Sequence, residues 1–203
     1  MFLITPELKF PCLDKLKKIV ELNIFSIMTK YYFQERRVGT MEKNNFPNTK
    51  NTFHLIAIGF GSGLIRIAPG TWGSILALIL FIVAEAFIDD LLHLFFFITS
   101  LLIIFLISCI VASRDADIKD DSRIVSDEMG GMLLTLFMVS MISDGIFFYL
   151  IGFALFRAFD IAKPWPISYV DQNLKNGFGV FLDDLIAGFL SFLLFFCFYL
   201  LLT

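Results

Sequence analysis

Charge is what this chain has least of. Only 17% of its 203 residues are Asp, Glu, Lys or Arg, against the ~25% of ordinary soluble domains. The net charge of -3 gives no reason to expect nucleic acid as a partner. Histidine is nearly absent. His54 and His93 stand alone, which excludes a His-rich zinc site. Cysteine is scarce too. Cys12, Cys109 and Cys197 show no paired spacing and two of them lie in apolar runs, so packing in a reducing compartment is the expected role. The first apolar run of note begins near residue 74, so no secretory leader is expected.

Apolar surface fills the space that charge leaves. Hydrophobic residues make up 58% of the chain, and Phe alone occurs 26 times. Five apolar segments stand out, at 74–88, 91–112, 129–143, 146–159 and 185–202. A bilayer span needs ~20 apolar residues, with a usual range of ~17–25. The second and fifth segments qualify. The other three are short and read as tilted pieces, as a re-entrant hairpin around Asp144-Gly145, or as buried core helices. The expected fold is all-α: a compact, membrane-associated helical bundle (residues 51–203) with its polar loops gathered on one face. Residues 1–50 read as a polar extension, partly disordered or forming a short surface helix around Lys15, Lys17 and Lys18.

The placement of charge selects a topology. If all five segments cross and the N-terminus is cytoplasmic, all 16 Lys and Arg residues fall in or beside the cytoplasmic stretches 1–73, 113–128 and 160–184. The outer turns hold none, which is the positive-inside asymmetry. The same arrangement collects the glycine-rich loop, the 113–128 loop and the 160–184 corner on one side.

The first motif is the glycine-rich stretch Gly59–Ser74, read as a loop that feeds a helix with Thr71 or Ser74 as N-cap. Free amides at a helix start favour phosphate, so Gly61, Gly63, Gly70 and Thr71 become candidate phosphate donors. Close helix packing is the plain alternative for such glycines. The second and third motifs are carboxylate pairs, Asp127-Glu128 and Asp183-Asp184, each opening an apolar segment. Acidic residues at helix starts are ordinary caps. Two pairs on one face repel, by ~4 kcal/mol for unit charges ~4 Å apart at a dielectric of 20. A divalent cation between them would reverse that sign, and Mg²⁺ suits all-oxygen ligands.

Asp160 ends the fourth segment, where the helix dipole disfavours an anion, so it calls for Lys163, Arg157 or a metal nearby. A purely structural Asp160–Lys163 pair is the plain reading. Arg157, Lys163 and Arg123 supply the positive charge that phosphate needs.

Together the stretches G-F-G-S-G-L-I-R-I-A-P-G-T-W-G-S, D-S-R-I-V-S-D-E-M-G-G, F-R-A-F-D-I-A-K-P-W-P-I and G-V-F-L-D-D-L-I-A-G resemble the phosphatidylglycerophosphatase A family, in that family's order. The resemblance covers about residues 54 to 200. Phe181 departs from it, where relatives often carry Met, and is expected to pack. The resemblance implies a Mg²⁺-dependent phosphatase of the bacterial inner membrane, with its site facing the cytoplasm. It implies phosphatidylglycerophosphate as substrate. Laid over these motifs, the chemistry expects Asp127, Glu128, Asp183 and Asp184 to hold Mg²⁺. Asp160, Lys163 and Asp184 are the expected catalytic groups, with either water or an Asp as nucleophile. Arg157, Lys163, Arg123 and the glycine loop are expected to face phosphate. Rival readings are a phosphatase of another membrane lipid phosphate, and an ion or solute transporter. Segment interiors hold almost no ionisable residue besides Glu85, which argues against transport.

Overall fold

The computed structural model describes residues 46–116, 121–174 and 176–202. Most of the expected N-terminal extension, up to residue 45, lies outside the described residues. No strand occurs among the described residues. Helices α1 (Thr52–Ala57), α2 (Pro69–Phe87), α3 (Leu91–Asp115), α4 (Ser126–Ser140), α5 (Ile146–Ala162), α6 (Ile167–Asn173) and α7 (Gly177–Leu202) follow in order, with a 3-10 segment over Gly59–Leu64.

Helices α2, α3 and α7 are each long and apolar enough to cross a membrane. At 1.5 Å per residue, the 25 residues of α3 span about 37 Å, more than the ~30 Å hydrocarbon core of a bilayer. Large apolar side chains on these helices point away from the protein, among them Phe87, Phe96, Ile103, Phe198 and Leu201. Water would penalise such a surface, whereas lipid does not.

The short third segment is a buried core helix. Helix α4 packs against α2, α3, α5 and α7. Met129, Met132, Leu133, Leu136 and Val139 on it are almost fully buried. Its closest neighbour is α7, and small residues permit the approach. Thr135 Oγ1 donates to the carbonyl oxygens of Gly131 (2.9 Å) and Gly188 (3.3 Å), bridging the two helices. A Cβ on Gly131 would fall 2.5 Å from the Asp184 carbonyl oxygen and 2.6 Å from the Phe156 ring. Gly131→Ala is therefore expected to cost about 1–3 kcal/mol, by overpacking against backbone that cannot yield. A fall in thermal midpoint in detergent checks this. Phe181 packs as expected: it is buried with its ring over Gly130.

Three helix boundaries differ from the sequence expectation. Helix α2 starts at Pro69, not at a Thr71 or Ser74 cap. Ala68 precedes it in the left-handed region (φ 50°) with no side-chain cap, and proline in the first turn suits its fixed φ. Helix α5 runs on to Ala162 and ends at Lys163, whose own backbone is left-handed (φ 41°, ψ 54°). Helix α7 begins at Gly177, so Asp183 and Asp184 sit about two turns inside it rather than at its mouth. Glycine lowers helix propensity, but Gly177 lies where a Cβ would meet the α3 backbone at Ile110, 2.8 Å away. Tertiary packing overrides the local preference there.

The antiparallel order sorts the chain into two ends. One end gathers the starts of α2, α4 and α7 with the finish of α5. The other gathers Glu85, Asp89, Ser140 and Asp144 around a cavity of about 430 Å³, and Tyr149 donates there to Glu85. His54, isolated in sequence, fastens α1 to the finish of α3. It is buried, accepts from the Asn48 amide at Nδ1 (3.2 Å) and donates from Nε2 to Asp115 (3.0 Å).

Candidate active site

Among the described residues, one acidic cluster stands at the polar end of the bundle. Asp127 and Glu128 lie in the first turn of α4, and Asp184 reaches them from α7. Each of the three offers a carboxylate oxygen, and these oxygens all lie within 4.8 Å of one another. Asp127 and Asp184 are each only 5% exposed. Buried carboxylates at this spacing repel, and protein offers them little relief. Asp127 Oδ1 and Glu128 Oε2 are buried without a hydrogen-bond partner. Orphaned buried oxygens are costly and call for an explanation. An all-oxygen set of three carboxylates fits a hard divalent cation.

Asp183 is expected in the same group but points elsewhere. On α7 the two side chains leave the axis ~100° apart, and only Asp184 joins Asp127 and Glu128. Asp183 instead accepts from Lys163 Nζ at 2.7 Å, and Lys163 also donates to Asp171 at 2.9 Å. Burial works against the Lys163 ammonium, but hydrogen bonds to the two carboxylates outweigh it and hold the pKa above the ordinary lysine range. The structural pair with Asp160 does not form through Lys163. Arg157 takes that place, with Nη1 2.5 Å from Asp160 Oδ2 one helical turn on.

Arg157 is held from two sides. Its Nη1 also donates to Ser74 Oγ (3.3 Å), and that hydroxyl donates to the Gly70 carbonyl oxygen (2.9 Å). Its Nε is buried and without a partner. Gly70 is the glycine that meets the cluster. A Cβ there would collide with the Glu128 carboxylate and lie 3.4 Å from Arg157 Nη1. Thr71 follows in the first turn of α2. Gly63 instead abuts the Arg123 carbonyl, and nothing lies within 4 Å of a Cβ on Gly61.

Arg123 is engaged by Asp121 and Phe46. It donates from Nε (2.8 Å) and Nη2 (2.5 Å) to Asp121 and lies over the Phe46 ring at 5.2 Å. That side-chain hydrogen bond lowers the pKa of Asp121.

Sequence reasoning missed Ser74 as a partner of Arg157, and missed Asp171 altogether. Ser74 carried a signal, since it lies four residues from Gly70 on one helical face. Asp171 carried none: two prolines and a helix start separate it from Lys163.

The family described as phosphatidylglycerophosphatase A matches residues 55–199. A Haemophilus influenzae phosphatidylglycerophosphatase A is 42% identical over 141 residues, covering 68% of this chain and 83% of that protein. The Escherichia coli phosphatidylglycerophosphatase A is 36% identical over 141 residues, covering 70% of this chain and 80% of that protein. A Bacteroides thetaiotaomicron protein named "Putative phosphatidylinositol-3-phosphatase" is 38% identical over 143 residues, covering 69% of this chain and 89% of its own length. No solved structure matches. All four motifs of the polar end lie inside the matched region, and on that match the chain belongs to the phosphatidylglycerophosphatase A family.

Proposed function

We propose that this chain removes the terminal phosphate of phosphatidylglycerophosphate, giving phosphatidylglycerol and inorganic phosphate. Water adds to phosphorus, the bond to the glycerol oxygen breaks, and that oxygen takes a proton. The observation that carries the reading is the acidic cluster of Asp127, Glu128 and Asp184 beside Arg157, in a chain of this family.

Mg²⁺ is the cation we assign to the cluster, with those three carboxylates as ligands. When bound, it supplies Lewis acidity toward the phosphoryl group and makes water a stronger nucleophile. The chain's own groups do the rest. Arg157, fixed by Asp160 and Ser74, offers its free Nε–H to a phosphoryl oxygen. Lys163 has a third N–H beyond the two given to Asp183 and Asp171. Gly70 and Thr71 place the positive end of the α2 dipole alongside. Asp160 acts here by orienting Arg157.

The proposed setting is the bacterial inner membrane, with the acyl chains beside the bundle and the site on the cytoplasmic face. The charge pattern supports it. Arg66, Arg114, Arg123, Arg157 and Lys163 belong to the polar end, and no Lys or Arg occurs between 66 and 114 or between 123 and 157.

A substrate comparison tests the reading. Phosphate release from phosphatidylglycerophosphate, phosphatidylinositol 3-phosphate and phosphatidate would be measured in detergent micelles, with Mg²⁺ and with chelator. The first lipid is expected to turn over fastest, and chelation to abolish release. Preference for either other lipid would sink the substrate assignment. Full turnover in chelator would sink the metal.

A further inference from the structure

We propose that Asp171, on α6, is a positioning residue that holds Lys163 for the phosphoryl group; this rests on the function proposed above. Lys163 is fastened at both ends of its length. Its backbone caps α5 with the amide donating to Phe159 (2.8 Å), in a left-handed conformation. Glycine or asparagine is the usual choice for such a cap, because a Cβ is strained there. A lysine kept at a strained position points to a need for its side chain. Its ammonium then lies between two carboxylates from two further helices, Asp183 of α7 at 2.7 Å and Asp171 of α6 at 2.9 Å.

The two partners differ in kind. Asp183 is 1% exposed, and its Oδ1 is buried without a partner. It belongs to the same turn as Asp184 and is fixed by the packing of α7. The Asp171 side chain is 39% exposed and sits on a seven-residue helix. Packing does not require a carboxylate at a half-exposed position on a short helix. What Asp171 supplies is the second anchor that stops the long lysine side chain from swinging about Asp183. Lys163 itself is 34% exposed, so it has room to move once that anchor is gone. Two of its three N–H bonds then have fixed directions, and these set the third.

Partners that orient a functional group typically cost 10–100-fold in activity when lost. Asp171→Asn in the full-length protein is expected to lower kcat by about that factor, with KM for phosphatidylglycerophosphate little changed. Asp171→Glu, which keeps the charge, should recover most of the loss. A readout independent of turnover follows the lysine directly. Acetylation of Lys163 by a water-soluble succinimidyl ester, read by mass spectrometry, should rise severalfold in Asp171→Asn as the untethered amine meets solvent. Wild-type kcat in Asp171→Asn would overturn the proposal. So would unchanged labelling, or a loss that follows the thermal midpoint and is not recovered by Glu. If the wild-type protein releases no phosphate from this lipid, the proposed function fails, while the labelling still decides whether Asp171 holds Lys163.

Discussion

Asp184→Asn is expected to lower Mg²⁺-dependent phosphate release from phosphatidylglycerophosphate by at least about 10²–10³-fold without unfolding the protein. Asp184 is the one member of the acidic cluster that comes from α7; the other two are neighbours on α4. Replacing it with Asn keeps the shape and removes one anionic ligand. The effect on stability should depend on the ion. Without Mg²⁺, the variant relieves repulsion among three closely spaced carboxylates, so its thermal midpoint should equal or exceed that of the wild type. With Mg²⁺ at 100 times its dissociation constant, the wild type should gain about 2.7 kcal/mol by mass action. The variant should gain much less. Thermal unfolding in detergent across a Mg²⁺ titration separates the two states. Equal stabilisation of both proteins by Mg²⁺ would remove Asp184 from the ligand set. Asp183→Asn serves as the contrast, because that carboxylate answers to Lys163.

Arg157→Lys is the second large effect, expected to lower kcat by about 10²–10³-fold despite the conserved charge. A guanidinium can use Nη1 for Asp160 and Ser74 while Nε remains free for a ligand. An ammonium is a single point. Near Asp160 it neutralises that carboxylate but presents no rigid fork toward the phosphate. Because Asp160 stays paired, the variant should fold. Steady-state kinetics with circular dichroism as a folding control checks both halves. Near wild-type kcat would place Arg157 outside the phosphate site and leave it a structural partner of Asp160.

Both expectations depend on features that differ in how plainly the chain displays them. The bundle was legible because apolar runs of this length have one economical solution, a helix that satisfies its own backbone. The meeting of the motifs was legible from charge, since Lys and Arg avoid the turns at 88–90 and 141–145. Helix ends were less legible. Glycines at 70, 73 and 177 lie inside helices, each with a neighbour packed into the space a Cβ would fill. That neighbour is Glu128, Val125 or α3, each distant in sequence.

The sequence by itself therefore determined the class of structure, the family, and which polar groups share one end of the bundle; hydropathy and motif order are properties of the chain read in one dimension. Only the tertiary structure decided how those groups pair. Asp184 joins Asp127 and Glu128 while Asp183 turns to Lys163, Asp160 takes Arg157, and Asp171 enters from a short helix past two prolines. Pairing depends on the rotation of each helix about its axis. A single residue changes that angle by ~100°, so linear spacing cannot set it until the helices pack.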